Sequence, residues 1–320
     1  RRQRQMCIRD RTYDSAKHAS KYAVNIPEVS FDLPKIIARK SKVVRKLVLG
    51  VKAKLTANNV TIVSGEAQII DKNTVRCGEE TYEGENLILC TGSETFIPPI
   101  PGVDAVNYWT HRDALDSKEL PASLAIVGGG VIGMEFASFF NSLGVQVTVV
   151  EMMDEILGGM DKELSALLRA EYTKRGIKFL LSTKVVGLSQ TEEGAVVSYE
   201  NAEGNGSVIA EKLLMSVGRR PVTKGFGLEN LNLEKTERGA VKEDEKMQTS
   251  VPGVYVCGDL TGFSLLAHTA VREAEVAVHS ILGKEDTMSY RAIPGVVYTN
   301  PEIAGVGETE AVSYTHLRAH

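Results

Sequence analysis

The sequence predicts an α/β protein in which mostly parallel sheets carry helices on both faces, in three layers. Three observations support this fold class. Continuous apolar runs, such as LILC at 87–90 and LAIV at 124–127, are typical of strands buried on both faces. Glycine-containing turns end these runs, and segments with helical apolar periodicity follow. The 320 residues suffice for about two such domains.

The composition is that of an ordinary globular protein, with 43% hydrophobic and 24% charged residues. The formal net charge of −4 argues against nucleic acid as a main partner. No apolar run is long and clean enough to cross a membrane, because the most apolar window, 124–140, is cut by glycines and by Glu135. We therefore expect neither nucleic-acid nor membrane partners.

The cysteines lie far apart and match no metal-ligand or Cys-x-x-Cys spacing, so we expect no metal site. They are Cys7, Cys77, Cys90 and Cys257. The last three are interpreted as buried small hydrophobic residues in a reducing compartment, which predicts a cytoplasmic protein.

The two ends do not continue the patterns of the rest. Segment 1–11 is basic and has no periodicity, and segment 312–320 breaks the pattern before it. Both resemble translated adapter sequence, so we interpret them as non-native and expect the chain to be a fragment. A genuine basic arm and tail is the alternative.

Residues 33–55 have apolar positions at helical spacing, with Asp32 as the predicted cap. The opposite face of this helix is basic and includes Lys40. It is interpreted as a solvated face, with a phosphate- or partner-binding surface as the alternative. Short β-rich runs follow at 60–64, 67–70 and 74–77.

A glycine-rich turn joins two apolar runs in segment 124–151. The order is a strand, Gly128-x-Gly130-x-x-Gly133, a helix that ends at Gly144, a second strand and then Glu151. This order within about 30 residues is the Rossmann dinucleotide fingerprint.

Each part of the fingerprint has a physical reason. The first glycine permits the tight turn, the second lets the backbone approach the pyrophosphate, and the third lets the helix pack on the strand. The helix N-terminus offers unpaired N–H groups to the phosphates. Glu151 can accept hydrogen bonds from a ribose 2′-OH and would repel a 2′-phosphate, which predicts NAD(H) over NADP(H). An ordinary solvent-facing strand end is the alternative for Glu151.

The chain after Glu151 continues this domain with a helix capped by Asp161, the strand IKFLL, a hairpin around TEEG and a buried strand that leads to Gly218. Ligands of open α/β sheets lie beyond the carboxyl ends of the strands. Gly218 is therefore a candidate contact, with a plain strand-to-loop glycine as the alternative.

A second nucleotide site is predicted around Asp259. A loop and a buried strand at 247–257 lead to this residue, and a helix follows at 264–282. An aspartate in this place can bind a hydroxylated chain, and the helix N-terminus can face a phosphate. Turn or capping chemistry is the alternative for Asp259.

Together these motifs resemble the pyridine nucleotide–disulfide oxidoreductase family and, within it, the dihydrolipoamide dehydrogenases. The motifs are LILCTGS, GGGVIGME with Glu151, SVGRRP, TSVPGVYVCGD, SLLAHTA and TNPEIAGVGETE. The resemblance implies two Rossmann-like FAD/NAD(P)-binding domains and the start of an α+β interface domain. The implied ranges are 12–115 for an FAD-binding domain without its N-terminal part, 116–245 for the NAD-binding domain, 246–283 for the returning FAD segment and 284–311 for a truncated dimerisation domain.

The resemblance also implies cofactor contacts. Around NAD it places Glu151, Val185, Gly218 and the turn residues Gly128, Gly129, Gly130, Val131, Ile132, Gly133, Met134 and Glu135. Around FAD it places Ala67, Thr91, Gly92, Ser93, Asp259, Leu265, Leu266, Ala267 and His268. Glu135 resembles a glutamate near the flavin–nicotinamide contact.

In the family, a substrate dithiol reduces an enzyme disulfide, the electrons pass to FAD, and hydride passes to NAD⁺. The implied function is oxidation of protein-bound dihydrolipoamide by a homodimer. Its implied partner is the lipoyl-bearing subunit of a 2-oxo acid dehydrogenase-type complex.

The sequence departs from the family pattern. It has no Cys-x4-Cys pair and no N-terminal GxGxxG, and the catalytic His-x4-Glu of the interface domain has no counterpart before Glu310. His268 and His279 are not taken as substitutes. We therefore name no catalytic residue, and we expect the chain to bind NAD(H) weakly, to retain FAD poorly and to be inactive.

Two other functions stay open. One is a related NAD-dependent flavoprotein, such as an NADH oxidase or peroxidase or a mercuric reductase. The other is a non-catalytic nucleotide-binding module. The motifs SLLAHTA and TNPEIAGVGETE favour the dihydrolipoamide dehydrogenases over the first alternative.

Overall fold

The computed structural model of the chain describes residues 11–309 and residue 312. The interpretation of 1–11 and 312–320 as non-native falls almost wholly outside the described residues and stays a prediction. Arg11 is described, and its guanidinium donates a 2.7 Å hydrogen bond to the carboxylate of Glu302.

The described chain divides into two compact units. The first unit takes residues 11–52, 97–218 and 294–309, with residue 312, and the second takes residues 53–96 and 219–293. Each unit has its own apolar clusters. The four domain ranges implied by the resemblance stay a prediction.

A five-stranded parallel sheet forms the centre of the first unit. In spatial order its strands are β6 (Tyr108–Trp109), β13 (Lys212–Met215), β7 (Ser123–Val127), β8 (Gln146–Val150) and β9 (Lys178–Leu180). The chain runs outward from β7 through β8 to β9, whereas β13 pairs on the other side of β7. The boundary between β7 and β13 is therefore the topological switch point, where ligands of such sheets bind.

Helices and a small antiparallel sheet cover the two faces of this parallel sheet. Its helices are α1 (11–17), α3 (His111–Asp116), α4 (Val131–Ser142) and α5 (Lys162–Lys174). The antiparallel strands are β10 (Lys184–Thr191), β11 (Gly194–Asn201) and β12 (Gly204–Ala210), and a further pair is β16 (Gly295–Val297) with β17 (Ile303–Gly305).

Side chains of β7 alternate between the two apolar clusters of this unit, as strand geometry requires. Leu124 and Ile126 pack with Phe136 and Phe140 of α4. Ala125 and Val127 pack with residues of the antiparallel sheet. The predicted three-layer α/β fold is confirmed by this arrangement.

Helix α2 (Leu33–Ala57) begins where the sequence predicts, because Asp32 accepts the N–H of Lys35 at 2.9 Å. The interpretation of its basic face as solvated is wrong at Lys40, which is 2% exposed. The ammonium of Lys40 donates to the carbonyl of Leu115 at 2.5 Å and pairs with Asp116, which offsets the cost of its burial.

The second unit contains short strands and one long helix. Its strands are β1 (Ala67–Ile69), β2 (Thr74–Cys77) and β3 (Glu80–Glu83) in an antiparallel sheet, the parallel pair β4 (Leu87–Leu89) and β15 (Val254–Val256), and the antiparallel pair β5 (Ser93–Thr95) and β14 (Arg219–Pro221). The helix is α6 (Ala267–Ile281).

One predicted strand of this unit is wrong. Residues 60–64 are exposed and have no strand structure, although the run is β-rich. A strand needs a neighbour that completes its hydrogen bonds, and no described segment pairs with this run. No helix in the described part of the chain has the length and apolarity needed to cross a membrane.

Candidate functional site: two clusters at strand ends

The glycine turn of the first unit lies between β7 and α4, as predicted. Gly128 has φ +106°, and a Cβ at this position would lie 2.4 Å from the carbonyl oxygen of Ser216. A Cβ at Gly133 would lie 2.1 Å from the carbonyl oxygen of Gly128. Any side chain at either position would therefore clash with backbone, so the turn and the helix approach depend on these two glycines.

Gly130 has a different role, because its backbone is extended and a Cβ there would meet open space. It is the N-cap of α4 and, as a glycine, makes no side-chain capping hydrogen bond. Val131, the first helical residue, is 41% exposed. The first N–H groups of α4 and the positive end of its dipole are thus accessible to an anion.

The carboxylate of Glu151 lies beside this turn. Its Oε2 accepts the N–H of Gly129 at 2.6 Å, and its Oε1 accepts the N–H of Met153 at 2.8 Å. The backbone N–H of Glu151 donates to Leu180 at 2.8 Å, which holds the end of β8. The expected proximity of the acid to the glycine turn is observed, and Glu151 is half-buried rather than an ordinary solvent-facing strand end. Its contact with a ribose stays a prediction.

The end of β13 supplies the other side of the switch point. The hydroxyl of Ser216 is buried and has no hydrogen-bond partner among the described residues. Gly218 follows with φ +127°, and open space lies where its Cβ would be. Val185 lies at the start of β10, two residues after Thr183, whose N–H donates to the carbonyl of Glu151 at 2.9 Å.

The remaining residues of the turn segment face the protein interior. Met134 is fully buried, and Ile132 packs against the same apolar cluster. Glu135 is 5% exposed, and its Oε1 accepts the N–H of Tyr298 at 2.9 Å. Burial raises the pKa of the Glu135 carboxyl, and the Tyr298 hydrogen bond opposes this shift.

The second cluster lies at the carboxyl ends of β4 and β15. Asp259 follows β15, and Ser93 follows β4 after the Thr91-Gly92 turn. The hydroxyl of Ser93 donates to Oδ2 of Asp259 at 2.5 Å. The structure therefore brings together two of the residues that the resemblance assigns to FAD.

Arg219 completes this cluster and was not found from the sequence. Its Nε donates to the hydroxyl of Ser93 at 2.7 Å and lies 3.9 Å from the carboxylate of Asp259. Strand β14 begins at Arg219 and pairs with β5, which places the guanidinium over Ser93. The available signal was the first arginine of SVGRRP, directly after Gly218.

The start of α6 lies beside the same cluster. Its first turn packs on the Gly258 turn, where a Cβ at Gly258 would lie 3.3 Å from Ala270. Leu266 is the N-cap, without a side-chain cap, and Ala267 and His268 are exposed. The predicted helix at 264–282 begins three residues late, because Ser264 to Leu266 are not helical and the backbone of Leu266 is extended. The hydroxyl of Ser264 bonds that of Thr269.

Ala67 lies in β1, opposite Cys77 of β2. It is exposed beside an open groove that Glu66, Gln68, Arg76 and Glu80 help to line. No described contact joins Ala67 to Ser93 or Asp259, so its assignment rests on the resemblance.

Two acidic residues of the second unit were also not found from the sequence. Glu273 is fully buried, accepts the N–H of Gly258 at 2.5 Å and accepts the hydroxyl of Tyr290 at 2.8 Å. Burial raises the pKa of Glu273, and burial followed by the charge of Glu273 raises the pKa of Glu243 to about 7. Glu273 follows His268 at His-x4-Glu spacing, but these contacts make it a structural carboxylate.

Both clusters fit a nucleotide on observations of this chain. At the first, a Cβ would fill the space at Gly130, and the hydroxyl of Ser216 has no hydrogen-bond partner in the described part of the chain. At the second, an uncapped helix end lies beside an aspartate whose side chain is 27% exposed. The described residues contain no group of three or more His, Cys, Asp or Glu side chains arranged to hold a metal ion.

Comparisons with known proteins identify similar proteins over most of the chain. The dihydrolipoyl dehydrogenase of Geobacillus stearothermophilus is 36% identical over 303 residues, and the match covers 93% of this chain and 64% of that protein. The corresponding protein of Thermus scotoductus is 39% identical over 283 residues, with 87% of this chain and 61% of that protein covered. The chain thus spans less than two thirds of the length of these relatives.

Solved structures show the same architecture. LpdA from Mycobacterium tuberculosis superposes with a TM-score of 0.89 at 25% identity, covering 98% of this chain and 70% of that chain. The HOCl-induced flavoprotein disulfide reductase RclA from Escherichia coli superposes with a TM-score of 0.84, also at 25% identity, over 98% of this chain and 68% of that chain.

The family comparison covers both clusters. Residues 5–274 match the family described as pyridine nucleotide-disulphide oxidoreductase, a range that includes the glycine turn, Glu151, Ser93, Asp259 and the start of α6. Members of this family and the flavoprotein reductases above use FAD and NAD(H). With this match, this fold and these relatives, the chain belongs to the pyridine nucleotide-disulphide oxidoreductases.

Proposed function

We propose that the first unit binds NAD(H) at the glycine turn and selects it over NADP(H). The observation that carries this proposal is the Glu151 carboxylate on the N–H of Gly129, 2.6 Å away. A carboxylate held there can accept the hydroxyls of an adenosine ribose. A 2′-phosphate in the same place carries a charge of about −1.5 to −2, and the negative carboxylate of Glu151 would repel it.

Different residues of the turn contact different parts of the dinucleotide in this proposal. The uncapped N-terminus of α4 binds the pyrophosphate, and the missing side chain of Gly130 leaves room for it. The buried hydroxyl of Ser216 is a candidate donor to the dinucleotide at the switch point, because it has no other described partner. Val185 and Gly218 are proposed to border the site, because they follow β9 and β13 in the chain.

The second unit is proposed to bind FAD. In this proposal, Asp259 accepts a hydrogen bond from a hydroxyl of the FAD chain. Ser93 and Arg219 hold the Asp259 carboxylate in place. The start of α6 offers backbone N–H groups to a phosphate. Thr91 and Gly92 form the adjoining turn, whose ends are fixed by two 2.9 Å hydrogen bonds with Val222. Ala67 is assigned to the adenosine end by the resemblance alone.

The proposed activity is that of the dihydrolipoyl dehydrogenases, the oxidation of dihydrolipoamide with transfer of hydride to NAD⁺. The flavin and the nicotinamide supply the hydride chemistry when bound. The residues of this chain orient the two nucleotides, and the carboxylate of Glu151 repels a coenzyme that carries a 2′-phosphate. The partners proposed from the relatives are a second copy and a lipoyl-bearing subunit, and the proposed compartment is the cytoplasm.

Calorimetric titration with NADH and NADPH tests the coenzyme proposal. We expect heat of binding with NADH and at least about tenfold weaker binding of NADPH, equivalent to about 1.4 kcal/mol. The matched variants are Gly130→Ala, which fills the phosphate space, and Gly158→Ala, which adds the same methyl group to a turn with open space around it. Gly130→Ala should abolish NADH binding at an unchanged melting temperature, and Gly158→Ala should retain it. Equal binding of the two coenzymes, or NADH binding by Gly130→Ala, would refute the proposal.

A further inference from the structure

Two cysteines lie side by side at the ends of neighbouring parallel strands of the second unit. Cys90 directly follows β4 and Cys257 directly follows β15. The register pairs Val256 with Leu89, and the N–H of Cys257 donates to the carbonyl of Leu89 at 3.0 Å. Since paired residues of parallel strands point to the same face about 5 Å apart, the next pair along the ladder is Cys90 and Cys257.

The two thiols differ in accessibility. Cys90 is exposed, whereas Cys257 is 2% exposed and packs with Met247, Tyr255 and Val276. Both are free thiols in the structure. An exposed thiol beside a buried one is the arrangement in which the first reacts with a small oxidant and the second resolves the product.

The electrostatics favour the same division of roles. Hydrogen bonding from the adjacent thiol of Cys257 lowers the pKa of Cys90 to about 7. The same bond, together with burial, raises the pKa of Cys257. The acidic side chains that face the pair oppose ionisation, since Glu273 acts on both thiols and Glu243 on Cys257. Cys90 is therefore the more acidic thiol of the pair and carries the larger thiolate fraction near neutral pH.

We propose that Cys90 and Cys257 form a reversible intramolecular disulfide when a hydroperoxide oxidises the chain. The thiolate of Cys90 attacks one peroxide oxygen, the O–O bond breaks, and Cys90 becomes a sulfenic acid as water or an alcohol leaves. The sulfur of Cys257 then attacks the sulfur of Cys90, the S–O bond breaks, and water leaves with the proton of Cys257. The two thiols are oxidised by two electrons and the peroxide is reduced by two. A dithiol reductant reverses the step by thiol–disulfide exchange.

This pair is separate from the nucleotide proposals, and it does not rest on them. It nevertheless borders the proposed FAD contacts, because Cys90 precedes Thr91 and Cys257 precedes Gly258 and Asp259. A disulfide would join the two strand ends from which those residues extend.

Differential alkylation of the full chain, followed by peptide mapping, reads each cysteine separately. After native treatment with hydrogen peroxide, we expect Cys90 and Cys257 to lose alkylation together and to appear in one cross-linked peptide, lighter by two hydrogens. Dithiothreitol should restore both, and half-buried Cys77 serves as the internal control that stays alkylated. Loss of Cys90 alone to a sulfinic acid, or retention of both thiols, would overturn the proposal.

The variant Cys257→Ala tests the contact without oxidation. Removing the donor should return the pKa of Cys90 towards its ordinary value, so its alkylation by iodoacetamide at pH 7 should slow by about tenfold. Cys77→Ala should leave the rate at Cys90 unchanged. An unchanged rate in Cys257→Ala, in protein with native circular dichroism, would show that the thiols do not interact and would contradict the proposal.

Discussion

The carboxylate of Glu151 is held by the backbone of Gly129, whose N–H it accepts at 2.6 Å. Gly129 is the middle glycine of the turn, and Glu151 directly follows β8, the neighbouring strand of the sheet. This hydrogen bond joins the two strand ends that border the proposed nucleotide site. It also fixes one negative charge at the place where a ribose is expected.

Glu151→Gln is expected to weaken both the turn and the coenzyme preference. In the parent chain, both carboxylate oxygens accept backbone N–H groups, from Gly129 and Met153. In the variant, one of these oxygens becomes an NH2 group, which cannot accept. One donor is left without an acceptor, which should lower the free energy of unfolding by about 1–3 kcal/mol. The NADH-to-NADPH affinity ratio should fall towards one, since the repulsion of a 2′-phosphate is lost. Chemical denaturation and calorimetry measure the two effects.

Glu192→Gln is the control for this change, because Glu192 lies exposed in the hairpin turn of the same unit. It should alter neither stability nor coenzyme preference. A Glu151→Gln protein that keeps the full discrimination of the parent chain would mean that the selectivity comes from other residues.

Gly133→Ala is expected to destabilise the first unit without any ligand. The new Cβ would lie 2.1 Å from the carbonyl oxygen of Gly128, so α4 must move away from the turn. We expect a loss of about 2 kcal/mol or more in unfolding free energy. Gly159→Ala adds the same atom where no other atom lies within 4 Å, and it should change stability little. Equal denaturation midpoints for the two variants would show that α4 does not pack on this turn.

The first cluster could be predicted because its parts are close in sequence. Strand, glycine turn, helix and acid follow one another between Ser123 and Glu151, and each leaves a local pattern. The second cluster could be predicted only in part. Arg219 reaches Ser93 through the pairing of β14 with β5, and local patterns do not specify which distant strands pair.

The sequence also did not predict which polar residues are buried and which are exposed. Lys40 belongs to a run of basic residues, and nothing local distinguishes the one that lies against Leu115 and Asp116. Cys90 shows the opposite error, since it was interpreted as buried and is exposed at the end of β4. Both errors arise because burial is decided by which segment packs above a position, and that depends on tertiary contacts.

Asp259→Asn is expected to weaken FAD binding by the second unit. The amide is uncharged, so it is a poorer acceptor for a hydroxyl of the flavin chain. It also no longer neutralises the positive charge of Arg219, whose Nε lies 3.9 Å from Oδ2 of Asp259. We expect the dissociation constant, measured by flavin fluorescence, to rise by about tenfold, or about 1.4 kcal/mol. Asp104→Asn, at an exposed site of the first unit, should leave it unchanged. The same affinity in both variants would exclude Asp259 from the FAD contacts.

Glu243→Gln is expected to stabilise the chain at pH 8 and to have little effect at pH 4. Burial and the charge of Glu273 raise the pKa of Glu243 from 4.5 to about 7 in the folded chain, so between these values the folded state holds a proton that the unfolded state releases. The stability contributed by the neutral acid is complete below pH 4.5 and is lost as the pH rises through 7. The glutamine stays neutral, so the variant should gain about 2 kcal/mol in unfolding free energy at pH 8, measured by denaturation at both pH values. Glu245→Gln changes an exposed neighbour and should show no such difference. A Glu243→Gln gain that is the same at pH 4 and pH 8 would mean that the acid is not protonated in the folded chain near pH 7.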